Sequence, residues 1–255
     1  MFYPLIPRIP ILTLTGAALA GGLNDTGITA CSNDTAVVTT GVEADTGTHP
    51  RQDCRYGRDV AAATGNLVKV GGGSKGFDFT KIANNGAVLP AIASLGAAVT
   101  DWACTRDNVT GLIWEIKTTN GLRSKDHTYT WYNSNAATNG GAAGTASGGT
   151  CATVGRCDTE KFVADVNAVG LCGASDWRIP TKNELVSIVD YSIAYPGPTI
   201  DTTWFPYTPT SFFWSASAYA GDSGNAWYGY FGDGNAGSGS VKSNAYQVRL
   251  VRAGQ

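Results

Sequence analysis

The stretch CGASDWRIPTKNEL, residues Cys172–Leu185, gives the strongest local instruction in the chain. Thr181 followed three residues later by Glu184 is a capping box, in which each side chain satisfies a backbone N–H group at the start of a helix. A helix is therefore expected from Thr181 through Leu185, Ile188 and Val189 to about Tyr191. Just before it, Asp176-Trp177-Arg178 reads as a buried Trp whose flanking polar residues, as a structural ion pair, fix how the chain approaches the helix. Capping and scaffold roles account for Asp176, Arg178 and Glu184, so none of the three is read as catalytic.

Upstream, a first helix is expected over Asp158–Val169. Asp158 can cap it, Phe162, Val163, Val166 and Val169 share one face, and Gly170 suits its exit. Residues 133–157 are rich in Gly, Ala, Thr and Asn and read as a long loop. A strand is expected at Thr110–Ile116. Residues 21–100 read as short β segments between turns, with brief alternating runs at Leu67–Val70 and Phe77–Thr80 and no amphipathic helix.

Downstream, after turns at Pro196, Pro198, Pro206 and Pro209, comes FWSASAYAGDSGNAWYGYFGDGNAGSGSVKSNAYQVRLVR, Phe213–Arg252. In Trp227–Phe231, alternation puts Trp227, Gly229 and Phe231 on one face and Tyr228 and Tyr230 on the other. Tyrosine among Ser, Asn, Asp and Gly is the composition of a recognition surface, since Tyr gives large contact area at low entropy cost. The competing reading is a Gly/Ser-rich hairpin whose tyrosines only pack. On the first reading, Tyr219, Asp222, Ser223, Tyr228, Tyr230, Asp233, Ser238, Ser240, Ser243 and Asn244 form one exposed ligand-binding surface. Trp214, Trp227, Phe231, Val248 and Leu250 then lie beneath it.

Composition narrows the function. The formal net charge is −2 and only 15% of residues are charged, with no basic excess, so nucleic acid is not an expected partner. Two histidines without ligand partners at metal spacing and no C-x-x-C pair leave no expected metal or other cofactor. Six cysteines favour disulfides and an oxidising compartment, with the pairing Cys31–Cys54, Cys151–Cys157 and, by elimination, Cys104–Cys172. The apolar run Ile9–Ala20 ends in Ala18-Leu19-Ala20, an A-x-A-like site, so residues 1–20 are expected to be a signal peptide. The alternative is an N-terminal apolar strand kept in the mature fold. Gly72-Gly73-Ser74-Lys75-Gly76 fits a nucleophile elbow, and Gly71–Gly76 a dinucleotide loop. Both chemistries need a following helix, whereas Phe77–Thr80 alternates like a strand. Asn24, Asn33 and Asn108 head formal glycosylation sequons.

From Asp107 onward, DNVTGLIWE (Asp107–Glu115), CGASDWRIPTKNEL, FWSAS (Phe213–Ser217), Ala226-Trp227 and VRLVR (Val248–Arg252) follow one another in an order that resembles a bacterial domain family. That family includes the C-terminal domain of the Legionella collagen-like adhesin. The resemblance covers about residues 101–255. LNDTG (Leu23–Gly27) and GFDFT (Gly76–Thr80) resemble the N-terminal part of longer members.

The resemblance implies an α+β, C-type-lectin-like fold at 101–255, with two helices, small antiparallel sheets and the loop insertion 133–157, preceded by the β-rich region 21–100. It implies a secreted or surface-displayed protein that binds a protein or polysaccharide on a cell or phage surface; the adhesin member binds sulfated polysaccharide. The E-P-N, Q-P-D and W-N-D motifs of calcium-dependent lectins are absent. Members of this fold also serve as variable proteins of diversity-generating retroelements, and the residues of the proposed surface suit either such an origin or a fixed loop surface. Two further functions remain open. One is a structural subunit of an extracellular assembly that self-associates through the aromatic face. The other is an enzyme of the distantly similar formylglycine-generating type, whose need for reactive thiols conflicts with paired cysteines.

Overall fold

A computed structural model describes residues 24–32, 37, 38 and 52–254. The expected signal peptide at 1–20 and the sequon residue Asn33 lie outside the described residues. In chain order the elements begin with β1 (Cys31–Ser32), β2 (Val37–Val38), α1 (Asp53–Tyr56), α2 (Arg58–Ala63), β3 (Phe79–Ala83) and β4 (Val88–Leu89). They continue with β5 (Trp102–Asp107), β6 (Leu112–Glu115), β7 (Tyr129–Thr130), α3 (Thr159–Val169) and α4 (Lys182–Val186). The chain ends in β8 (Phe212–Ala218), β9 (Asn225–Tyr230), β10 (Ala236–Val241), β11 (Ala245–Tyr246) and β12 (Val251–Ala253). The fold is a mixture of a few helices and several small antiparallel sheets. A five-stranded sheet has the order β12-β6-β5-β3-β4, a three-stranded sheet the order β10-β9-β8, and β11-β7 and β1-β2 pair separately.

Both larger sheets bury both faces. Neighbouring strand residues point to opposite sides, and each apolar pair is split between two cores. Ile113, Trp214 and Leu250 enter one core with Tyr129, Phe162, Val166 and Trp177. Trp114, Phe213 and Val251 enter the other with Phe79, Leu185, Phe205 and Phe231. This is why the strands carry consecutive apolar residues instead of strict alternation. The indole N–H groups of Trp131, Trp177 and Trp214 donate to the carbonyls of Ser215, Leu171 and Tyr129, at 2.8, 2.9 and 2.9 Å. Each ring is thereby fixed in orientation as well as buried.

The helices follow their local signals with two differences. Asp158 caps α3 by accepting from the Lys161 N–H, and Gly170 leaves it in the left-handed conformation at φ 66°. Phe162 and Val166 are buried, but Val169 at the last turn is exposed. The capping box of Thr181 and Glu184 is present, but α4 stops at Val186 rather than near Tyr191. The N–H groups of Asp190 and Tyr191 are taken by the carbonyls of Thr199 and Thr26, so they cannot continue a helical ladder. Ile188 and Val189 are still buried, from a turn.

Asp176 and Arg178 do not pair with each other. Arg178 bridges Val251, which lays the C-terminal strand alongside and brings the Arg252 Nε within 2.6 Å of Asp176. The hydrogen bond from Arg252 lowers the Asp176 pKa. Arg178 instead forks onto both oxygens of Glu184, at 2.8 and 2.6 Å. Burial alone would raise the Glu184 pKa, but the Arg178 fork and the Thr181 N–H more than offset it, and the pKa is lowered.

Residues 21–100 contain α1 and α2, where only β segments are expected, and Leu67–Val70 is irregular. β3 and β4 belong to the same sheet as β5, β6 and β12, so residue 100 lies in a turn between two segments of one sheet and not between two units. The strand expected at Thr110–Ile116 is the shorter β6. The loop 133–157 contains no helix or strand. Residues 24–27 of the LNDTG stretch meet the start of GFDFT in space. Asn24 donates to Asp107 at 2.7 Å, Asp25 lies against Gly76 and accepts from the Arg58 N–H, and Thr26 accepts from the Tyr191 N–H. Asn24 and Asn108 both spend their side-chain amides inside the fold, on Asp107 and on Asp78 and Thr80.

All six cysteines are paired, as Cys31–Cys54, Cys104–Cys172 and Cys151–Cys157, with Cα–Cα distances of 5.2, 6.5 and 5.4 Å. This is the pairing expected from the sequence.

Candidate binding face

The three-stranded sheet sets up the site. Its register pairs Trp214 with Tyr228 and Phe212 with Tyr230 across β8 and β9, and Tyr228 with Gly237 across β9 and β10. Phe212, Trp214, Tyr228, Tyr230 and Gly237 therefore share one face. Trp214 is fully buried at its centre, and Tyr246 of β11 stacks on it at 4.5 Å. Outward from Trp214 the rings continue as a half-exposed stack. Phe212 is stacked 5.0 Å from Tyr246 and 4.5 Å from Tyr230, and meets Tyr228 edge-on at 5.2 Å. Tyr228 lies over Gly237, where any Cβ would collide with its ring, and Tyr230 covers Gly232 in the same way.

The polar rim is partly committed. Ser240 donates to the Tyr246 hydroxyl at 2.7 Å, and Asn244 donates to the Ser240 hydroxyl at 2.9 Å. The hydroxyls of Tyr228 and Tyr230 have no partner among the described residues. The face thus offers aromatic surface and two free hydroxyls from a rigid sheet, a combination suited to recognition.

The ten residues expected to form one surface divide between two faces and the turns. Tyr228, Tyr230, Ser240 and Asn244 belong to the aromatic stack, but Ser240 is buried at 4% exposure and supports it from within. Tyr219 lies on the opposite face, 5.9 Å from Trp227. Asp222 and Asp233 are exposed and accept from Gly224 and Asn235 N–H groups, closing the turns at opposite ends of β9. Ser223 and Ser243 are exposed in turns, and Ser238 is half-buried on β10.

Trp214, Phe231, Val248 and Leu250 are buried as expected, but Trp227 is not beneath the surface. It is half-exposed, with the Lys182 Nζ 4.3 Å over its ring, and Ala226 is the buried residue. Alternation separates the Trp and Tyr faces correctly. Both faces, however, pack against a core at the sheet centre and open at its margin.

Two participants escape the sequence reading. Phe212 completes the stack, and its i, i+2 spacing to Trp214 is the signal. Lys242 is buried at 2% exposure. It donates to the carbonyls of Asn139, Ala142 and Ser223, at 2.8, 2.7 and 2.7 Å, and sits 4.2 Å over the Trp131 ring. Burial lowers its pKa. It fastens the 133–157 loop to the β8–β9 turn. Its signal is position: it is the sole Lys or Arg between Lys182 and Arg249.

A separate apolar recess of about 470 Å³ lies between that loop, α3 and β8, walled by Trp131, Val163, Ile179 and Ala216. The Gly72–Gly76 loop runs into β3, not a helix, and so lacks the geometry of either catalytic motif it spells. Among the described residues no group of three His, Cys, Asp or Glu could hold a metal, and no helix is long and apolar enough to cross a membrane.

The half-exposed rings predict a stability result at odds with a freely exposed surface. Replacing Tyr228 and Tyr230 together with Ala is expected to cost ~2 kcal/mol, from lost ring contacts and apolar burial. Urea unfolding of the double variant measures this. A change within about 0.5 kcal/mol, typical of exposed positions, would show that the stack does not hold in solution.

A family model described as the Lcl C-terminal domain matches residues 103–252, which takes in β5 from its second residue, β6 through β11 and the whole aromatic face. No curated protein and no solved structure matches the chain. With more than half of its length under that match, the chain belongs to the Lcl C-terminal domain family.

Proposed function

We propose that this protein is an exported, adhesin-like binding protein with a C-type-lectin-like fold, which takes a surface ligand on the aromatic face of the three-stranded sheet. The observation that carries the proposal is the stack of Phe212, Tyr228, Tyr230 and Tyr246. Aromatic residues are over-represented in interface centres, and here they are preorganised on a buried Trp. Membership of an adhesin-type family supports ligand binding at surfaces in general. Three disulfides support export. Pairing of all six cysteines leaves no thiol nucleophile, which favours binding over thiol-based catalysis.

The exposed turn residues Asp222, Ser223, Asp233 and Ser243 are where retroelement diversification would alter contacts at least cost to the fold. Ser240 and Tyr228, held inside the stack, would not tolerate it as freely. A near-repeat of the final coding segment beside a reverse transcriptase gene is the expected genomic signature. Its absence would make the surface a fixed one.

The test is a binding panel of immobilised polysaccharides and of cell-surface and phage proteins. Ligands retained by the wild type should bind Tyr230→Ser about 30-fold more weakly, as for an anchor worth ~2 kcal/mol. Val241→Ser, on an exposed strand position, should bind as the wild type does. Sedimentation showing a concentration-dependent dimer that Tyr230→Ser abolishes would instead favour a structural subunit.

A further inference from the structure

A recess of about 400 Å³ opens at the β3–β4 edge of the five-stranded sheet and shares no lining residue with the aromatic face. Val70, Val88, Leu89 and Trp204 give it apolar walls, and its charged residues are Lys81 and Arg106, with no Asp or Glu in the lining. Arg106 stands opposite Thr80 across β5 and β3. Its Nε is buried and out of reach of solvent, while its two terminal nitrogens have neither a hydrogen-bond partner nor an ion pair among the described residues and are the donors a ligand could meet. Lys81 is positioned by the Ala93 carbonyl at 2.8 Å and by the Trp102 ring at 3.9 Å. It too lacks a carboxylate partner, but, next to Thr80 on β3, it projects from the opposite face to Arg106, so Arg106 alone is the anion-binding cation of the recess.

The acids nearest in sequence are already occupied. Asp78 accepts from the Val70 and Gly71 N–H groups and from Asn108, and Asp107 accepts from Asn24, Val109 and Thr110. Neither belongs to the lining of the recess.

We propose that this recess binds a small organic anion, a carboxylate carrying an apolar body. A guanidinium presents parallel N–H donors that match a carboxylate edge, and the apolar walls would take the remainder. The volume lies within the usual range for small-molecule pockets. Such a site would be separate from the aromatic face, so ligand binding at either can fail without the other.

The test is titration of the full chain with benzoate, followed by saturation-transfer NMR. Benzyl alcohol and benzylamine serve as the neutral and cationic counterparts, and inorganic phosphate as the anion without an apolar body. Benzoate is expected to saturate one site, with the other three probes about tenfold weaker or more. Arg106→Gln should weaken benzoate by a similar factor while the melting curve stays close to that of the wild type. Val88→Trp, placed at an exposed position on the rim, should block the recess without touching either cation. If Arg106→Gln fails to fold, the comparison of probes on the wild type decides by itself. Equal binding of benzyl alcohol, phosphate binding as tightly as benzoate, or no saturable benzoate binding would each overturn the proposal.

Discussion

Replacing Cys104 and Cys172 together with Ala lowers the unfolding free energy by about 4 kcal/mol, the largest loss expected from removing a single link in this fold. The two residues are 68 apart in sequence, so their bridge removes much of the freedom of the unfolded chain. It also joins β5 to the turn before Trp177, two elements with no short connection. The bridge Cys151–Cys157 spans a separation of only 6 and serves as the internal control. By the same loop-closure argument its removal costs about 2 kcal/mol. Chemical unfolding of the two double variants gives both numbers under one condition. Equal losses would contradict the loop-closure account.

Arg249→Met is the second large effect, expected to destabilise the protein by about 2–4 kcal/mol, because it leaves two buried acceptors without a donor. The Arg249 side chain is fully buried between Phe205 and Phe213. It donates to the Glu115 carbonyl at 2.7 Å and to the Thr208 hydroxyl at 2.6 Å. The Glu115 carboxylate in turn accepts from Lys117 at 2.9 Å and from the Leu250 N–H at 2.9 Å. Burial lowers the pKa of Arg249 to about 10 and that of Lys117 to about 8, with the attraction of Glu115 offsetting part of the cost in each case. Methionine would fill the space but leave the Glu115 carbonyl and the Thr208 hydroxyl without their donor. Arg249→Lys should recover little, because a single ammonium cannot reach both acceptors in the fork geometry. Equilibrium unfolding at pH 7 measures both variants. A loss below about 1 kcal/mol for Met would mean that apolar packing, not the polar fork, holds this end of the sheet.

What could be read in the sequence follows from how local the determining interactions are. The cap of α3 at Asp158, its exit at Gly170 and the Thr181–Glu184 box are set by residues three or four apart, and the structure forms all of them. The disulfide pairing was open to elimination because one pair closes a short loop and another lies wholly N-terminal. Long-range partners were not accessible in this way. Asp176 meets Arg252 across 76 residues, and α4 ends early because Thr26 and Thr199 claim its next N–H groups.

The candidate face was half legible. Alternation divided Trp227 from Tyr228, but it cannot reveal that the three-stranded sheet lies between two cores. That arrangement turns the tyrosines from free side chains into members of a stack. Phe212 was hidden by its apolar neighbour Phe213, which points the other way.

A ligand seated on the ring cluster of Phe212, Tyr228, Tyr230 and Tyr246 would shield the strands that carry it. Hydrogen–deuterium exchange with mass spectrometry, on the protein with and without a ligand retained from the binding panel, tests this placement most directly. Exchange is expected to slow in peptides covering β8 to β11, centred on Tyr228–Tyr230 and Ala245–Tyr246, with the 133–157 loop and α3 unchanged. Protection confined to the recess of Trp131, Val163 and Ile179, with β9 unaffected, would contradict it.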